Sequence, residues 1–334
     1  MKILILRFSS IGDIVLTTPV LRCLKKQLPN AEIHFATKAS FKNIVEPNTN
    51  IDKRFYLQNS LNDLVKQLRA EQYDVIIDLH NNLRTLIVKL QLKAPSFSFN
   101  KLNFKKWLAV NLKLEVLPKQ HIVDRYIGAA KYLGVKNDSE GLDYFFTPGE
   151  KIDPHELPLT HIHGFVAVAI GALHNTKKLP VEKIISICKK IKAPIILLGG
   201  KEDAEIGEAI KNAVGITVFN GCGKFTLSES ASILQLAKKV VTHDTGLMHI
   251  AAALKKDITS IWGNTVPQFG MYPYFGNKEK YADKYRLNSH LFEVKGLSCR
   301  PCSKIGFDKC PKKHFKCMML QNEDDIAAEI NGIK

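Results

Sequence analysis

Short, uninterrupted apolar runs alternate with helical stretches along most of this chain, and that alternation limits its fold more than any other feature. Residues 3–6 read as a buried strand, a turn follows at Ser9-Ser10-Ile11-Gly12-Asp13, and apolar positions then recur at helical spacing over residues 14–27. Residues 32–37 form a second strand, 60–72 a helix opened by an N-cap serine, and 75–79 another buried strand. A strand that is apolar at every position has both faces covered, as in a parallel sheet flanked by helices. Strand, helix and strand at this spacing predict βαβ units. After a polar, proline-containing stretch at 147–163 the pattern restarts. Strands are predicted at 165–170, 195–198, 217–219, 240–242 and 260–262, with helices at 181–191, 205–213, 227–238 and 247–254. The chain after Gly270 reads as irregular, apart from a short acidic helix at 322–330.

The expected fold class is therefore α/β, with two Rossmann-like domains over residues 1–155 and 156–334, the last helix free to pack back on the first domain. A length of 334 residues agrees, at roughly 150 residues per domain. The longest apolar run, 165–173, is about half of the ~20 residues that a membrane-spanning helix needs. No signal-peptide core follows Met1-Lys2. The expected location is the cytoplasm, with the seven cysteines reduced. The chain carries 48 Lys+Arg against 32 Asp+Glu, a formal charge of +16, which calls for an anionic partner: nucleic acid, a membrane surface or a phosphorylated substrate.

Open α/β sheets bind ligands beyond the carboxyl ends of their strands, so the residues just after strands are the ones to read for chemistry. The first turn places Ser10, Gly12 and Asp13 there. Asp13 is either a capping carboxylate or a general base facing the cleft. The turn contains neither GxGxxG nor a Walker A sequence, so it is no dinucleotide or P-loop fingerprint. In the segment 240–249, Asp244-Thr245-Gly246-Leu247 lies between a buried strand and a helix, with His249 one turn in. Backbone amides at such a helix start suit a diphosphate. The loop 171–180 offers Thr176 and Lys177, a lysine able to meet a leaving phosphate. A fourth loop offers His80, Asn81 and Arg84 to a sugar or an acid group.

Together these segments resemble glycosyltransferase family 9, the bacterial lipopolysaccharide heptosyltransferases. The most specific parts are Arg7-Phe8-Ser9-Ser10-Ile11-Gly12-Asp13-Ile14-Val15-Leu16-Thr17-Thr18-Pro19 and Asp244-Thr245-Gly246-Leu247-Met248-His249-Ile250-Ala251-Ala252-Ala253-Leu254, supported by Tyr73-Asp74-Val75-Ile76-Ile77-Asp78-Leu79. The resemblance implies a GT-B architecture and inverting, metal-independent transfer of heptose from ADP-heptose to the inner core of lipopolysaccharide. It implies that Asp13 is the catalytic base. It places Lys177, Thr176, Asp244, Thr245, Gly246, Leu247 and His249 on the donor, with Glu205 at the ribose, where Glu202 and Asp203 are adjacent alternatives. Ser10, Gly12, His80, Asn81 and Arg84 fall on the acceptor side. A family member with another nucleotide sugar or acceptor is the near alternative. A non-catalytic polybasic protein that binds nucleic acid or membrane is the remote one.

Residues 79–114 contain no Asp or Glu, but hold Arg84, Lys89, Lys93, Lys101, Lys105, Lys106 and Lys113 among Phe97, Phe99, Phe104 and Trp107. Basic residues mixed with aromatics suit an anionic membrane surface or single-stranded nucleic acid. The resemblance favours the inner leaflet and an anionic lipid-linked saccharide, and excludes nucleic acid as a partner. Cys299, Cys302, Cys310 and Cys317, with His314 nearby, are weighed as a structural zinc set, against packed, reduced thiols. No cofactor is otherwise expected.

Overall fold

Two all-parallel sheets carry the chain, and the computed structural model describes residues 1–276 and 289–332. The first half runs β1 (Lys2–Leu6), α1 (Ile11–Val15), α2 (Thr18–Gln27), β2 (Glu32–Lys38), α3 (Lys42–Val45), β3 (Lys53–Leu57), α4 (Leu61–Arg69), β4 (Val75–Asp78), α5 (Leu83–Leu92), β5 (Ser96–Ser98), α6 (Asn103–Asn111) and α7 (Ile122–Ala130). The second runs β6 (Val166–Ala169), α8 (Val181–Lys190), β7 (Ile195–Leu198), α9 (Ala204–Val214), β8 (Val218–Asn220), α10 (Leu227–Leu236), β9 (Lys239–His243), α11 (Gly246–Ala253), β10 (Ile258–Trp262), β11 (Ser289–Glu293), α12 (Lys316–Met319) and α13 (Glu323–Ile330).

Strand order is β3-β2-β1-β4-β5 in the first sheet and β11-β10-β9-β6-β7-β8 in the second. Each sheet is built outward in one direction and then resumes on the other side of its first strand. The order thus reverses between β1 and β4, and again between β6 and β9. Loops leaving the two strands at such a point diverge to opposite faces and open a crevice at their carboxyl ends. All four chemistry-bearing segments follow these four strands.

The central strands are buried along their length, which explains their unbroken apolar sequence. One buried cluster continues from Ile5 and Leu16 through Tyr126 and Leu142 to Met248 and Trp262, so the two halves share apolar packing. The helix predicted over 14–27 is two helices. Thr17 and Thr18 turn their hydroxyls back onto the carbonyls of Ile14 and Val15 (2.7 and 2.8 Å), and Pro19 sits in the first turn of α2, where its missing N–H costs nothing. The C-terminal helix α13 packs on the second half, against α8. Ile326 and Ile330 join Ile184 and Ile187 in one cluster, and Lys183 pairs with Glu323 at 2.7 Å. The chain after Gly270 also holds β11, paired with β10; the rest of that expectation falls partly on residues 277–288, outside the described residues.

Candidate active site

On the first half, β1 is followed by Arg7, a buried guanidinium that organises the turn after it. Its Nε donates to the Ser9 carbonyl (2.6 Å), its Nη1 to the Leu79 carbonyl and the Tyr126 hydroxyl (2.9 Å), and its Nη2 pairs with Asp13 Oδ1 at 2.6 Å. The other carboxylate oxygen of Asp13 accepts from the Ser10 hydroxyl (2.8 Å) and amide (3.2 Å). Burial works against the charge on Asp13, but Arg7 and Ser10 outweigh it, and the carboxyl titrates below its ordinary value. His80, at the end of β4, packs edge-on to Phe8. Burial, with Arg7 and Lys101 adding repulsion, brings its imidazole down to about 4.

On the second half, Lys177 pairs with Asp244 Oδ2 at 2.7 Å, and the Thr265 hydroxyl donates to the same oxygen at 2.9 Å. Thr245 is the N-cap of α11, yet its side chain makes no capping bond. The first-turn amides thus lack a side-chain cap, and a helix start of this kind suits an anion. The Lys178 ammonium reaches Asp203 Oδ1 (2.8 Å), whose second oxygen accepts from the Gly200 amide (3.0 Å). Gly171 admits this carboxylate: a Cβ there would lie 2.4 Å from Asp203 Oδ2.

The two halves touch where α1 meets α11. A Cβ on Gly12 would lie 2.5 Å from His249 Cδ2, and one on Gly246 would lie 2.7 Å from Ile11 Cγ2. Only glycines allow this approach. His249 is buried, its Nδ1 has no hydrogen-bond partner, and burial brings it down to about 4, so the ring is neutral at pH 7.

A cavity of about 770 Å³ opens between the halves. Of the residues expected from sequence, Ser10, Gly12, Asp13, His80, Lys177, Asp244, Thr245, Gly246, Leu247 and His249 line it. Four do not. Thr176 is buried, with its hydroxyl donating to the Phe307 carbonyl (2.9 Å) and accepting from the Phe307 amide (2.8 Å), so it holds two loops together. The Asn81 amide donates to the Phe99 carbonyl (3.1 Å). Arg84 is exposed on α5. Glu205 is exposed in the first turn of α9, and the two adjacent alternatives, Glu202 and Asp203, line the cavity. Residues not anticipated as site residues also face it: Arg7, Tyr126, Lys101, Lys106 and Lys304. Arg7 had a legible signal, a charge closing an apolar strand. Tyr126 and Lys304 come from distant segments and had none. Lys101, Lys106 and Lys304 have no carboxylate partner among the described residues, and Lys106 lies 5.5 Å over the Phe269 ring. Burial, with Arg125 next, brings Lys106 down to about 8.

Cys299, Cys302, Cys310 and Cys317 are not gathered into a metal-ligand cluster in the structure. Among the described residues no three His, Cys, Asp or Glu side chains are placed to hold a metal ion. Cys299 Sγ and His314 Nε2 are 3.9 Å apart, and the Cys302 thiol donates to the Cys299 carbonyl. Burial, followed by Cys299, pushes the Cys302 thiol up to about 11, and burial pushes Cys317 up to about 12.

Comparison with known proteins agrees with this layout. The chain is 26% identical over 294 residues to lipopolysaccharide heptosyltransferase 1 of Campylobacter coli, covering 79% of this chain and 84% of that one. Its fold matches a glycosyl transferase family 9 structure from Veillonella parvula (TM-score 0.76, 21% identity, 98% and 96% of the two chains). It also matches the E. coli heptosyltransferase WaaC with ADP (TM-score 0.67, 19% identity, all of both chains). The description "Glycosyltransferase family 9 (heptosyltransferase)" matches residues 61–290. With two parallel α/β halves facing across a cleft, the chain belongs to glycosyltransferase family 9 and is a glycosyltransferase of GT-B architecture.

Proposed function

We propose that this enzyme transfers heptose, with inversion, from ADP-heptose to a hydroxyl of the anionic inner core of lipopolysaccharide. The observation that carries the reading is the convergence of Asp13 and the Lys177–Asp244–α11 constellation on one cavity from opposite halves. The acceptor oxygen attacks the anomeric carbon while the Asp13 carboxylate takes its proton. The bond from that carbon to the diphosphate oxygen breaks, and ADP leaves with the electron pair. The transition state is oxocarbenium-like, and negative charge grows on the leaving phosphate. The Lys177 ammonium and the amides at the start of α11 meet that charge without calling on a divalent ion. Gly246, Leu247 and Thr245 line the donor pocket with His249, and Glu202 rather than Glu205 reaches the ribose. On the other side Lys101, Lys106 and Lys304, with Ser10, Gly12 and His80, receive an acceptor bearing carboxylates or phosphates. Work on such an acceptor places the enzyme in the cytoplasm, against the anionic inner leaflet. No helix among the described residues is long and apolar enough to cross a membrane.

The test is release of ADP from ADP-heptose in the presence of a Kdo-lipid A-type acceptor, with chelator present. Asp13→Asn is expected to cut kcat by ~10²–10⁴-fold, the usual worth of a general base, while ADP binding stays intact. ADP release from none of a panel of such acceptors, or an undiminished rate in Asp13→Asn, would overturn the reading.

A further inference from the structure

We propose that the outer faces of α5 and α6 form a docking surface for an anionic lipid bilayer. Leu83, Leu86 and Leu90 stand at i, i+3 and i+7 of α5 and are 72%, 45% and 67% exposed. That spacing puts them on one face, while Thr85 and Val88 are buried. On α6, Phe104 and Trp107 are 71% and 51% exposed, and Leu112 and Leu114 just beyond are also exposed. A soluble protein seldom leaves so many large apolar side chains in one short segment without covering them. The same segment, 79–114, holds no acid. Arg84, Lys93 and Lys105 are exposed within it. Apolar anchors with unopposed cations complement an interface of acyl chains and anionic headgroups.

Charge argues against a second copy of this chain as the occupant, because the segment 79–114 has only cations among its charged residues and two copies of it would repel. The leucine row suits hydrocarbon rather than nucleic-acid bases. The opposite side of α6 carries Lys106 into the cavity. A bilayer seated on α5 and α6 would thus hold a lipid-linked saccharide at the acceptor side of the cleft. That last link rests on the functional reading above; the docking surface itself does not.

The full chain, mixed with phosphatidylcholine vesicles with and without phosphatidylglycerol, tests this directly. The chain has two tryptophans, and Trp262 is buried, so a change in emission on adding vesicles reports Trp107 over a constant Trp262 background. Phosphatidylglycerol vesicles are expected to bind the protein in a salt-sensitive way and to shift Trp107 emission to the blue. Trp107→Phe removes the shift but keeps binding. Leu86→Glu with Leu90→Glu, both at exposed positions, is expected to weaken binding roughly tenfold or more as two anchors leave the interface. The double variant should keep wild-type Tm and wild-type rate on a water-soluble core saccharide, and lose rate only on acceptor embedded in vesicles. Absence of vesicle binding, wild-type binding by the double variant, or a lipid-free dimer that the double variant dissolves would each overturn the proposal. Loss of all transfer, soluble and embedded, with intact vesicle binding would sink the functional reading and leave the docking surface standing.

Discussion

A carboxylate held between a guanidinium and two Ser10 donors titrates below its ordinary value and is a weak base, ionised in the form that the proposed proton transfer to Asp13 requires. Its weakness is tolerable because the acceptor proton becomes acidic only as the new C–O bond forms. In the wild type the acid limb of kcat/KM should therefore lie below the ordinary carboxylate range. Arg7→Gln removes the charge that opposes burial, so the limb should move upward in pH, and a pH profile of the variant checks it. An unmoved limb would show that Asp13 is not the group titrating. Lys106 works at the other end of the scale. Its ammonium is lost as pH rises through about 8, so the KM for an anionic acceptor should climb above that pH. In Lys106→Met that KM should be high and flat with pH, while the KM for the nucleotide sugar stays put.

At the scale of elements, the contact of α1 with α11 sets how far Asp13, the proposed base, stands from the proposed donor residues Lys177 and Asp244. Gly12→Ala places a methyl carbon 2.5 Å from His249 Cδ2, and the two helices must part to admit it. Misplacement by ~1 Å costs on the order of 10²-fold in rate. The expected result is a fall in kcat of that order with ADP affinity retained, read by single-turnover kinetics and calorimetry. The central strands and most helices of the second half were legible because their apolar runs and helical periods are unbroken. Of the four edge strands, β8 was legible at 217–219, but β3, β5 and β11 were not. An edge strand has fewer covered positions, and Lys53-Arg54 or Ser96 and Ser98 break the apolar signal. Helices α5 and α6 were missed for a related reason. Their exposed apolar faces carry no clean polar-apolar division, which is the same fact that marks them as a docking surface. The break before α2 was legible after all, in Thr17-Thr18-Pro19, but helical periodicity runs through it.

The whole molecule brings together what no local reading could. The turn residues 9–13 and 244–247 were readable because each follows a buried strand, and the strand orders put them at the two reversal points of the sheets. Glu202 against Glu205 was not decidable, since the choice depends on how α9 begins. Tyr126 and Lys304 reach the cavity only through tertiary packing. The same packing encloses His121, His243 and His249, each nearly inaccessible to water. Burial, the largest influence on each, holds them neutral, bringing His121 down to about 3 and the other two to about 4. An unfolded histidine takes up its proton near pH 6.5. The stability these rings lend is therefore complete above that pH. It is lost as pH falls from there towards about 4, because the unfolded chain binds protons that the native state refuses. Each ring contributes up to about 1.4 kcal/mol per pH unit across that window. The carboxylates with lowered values, Asp13, Asp52, Glu71, Asp138, Glu208 and Glu323, lose their stabilisation only as pH falls through the ordinary carboxylate range and below, so they join the histidines only at the acid end of the window. Tm should hold steady from pH 8 to about 6.5 and then fall steeply to about 4.5. His243→Gln, whose carbonyl can still accept from the Leu179 amide that His243 Nε2 now serves at 3.0 Å, should flatten that fall by about a quarter, because His80, also brought down to about 4, shares the window. A Tm that ignores pH between 6.5 and 4.5, or a His243→Gln curve parallel to the wild type, would show that these rings charge within the fold.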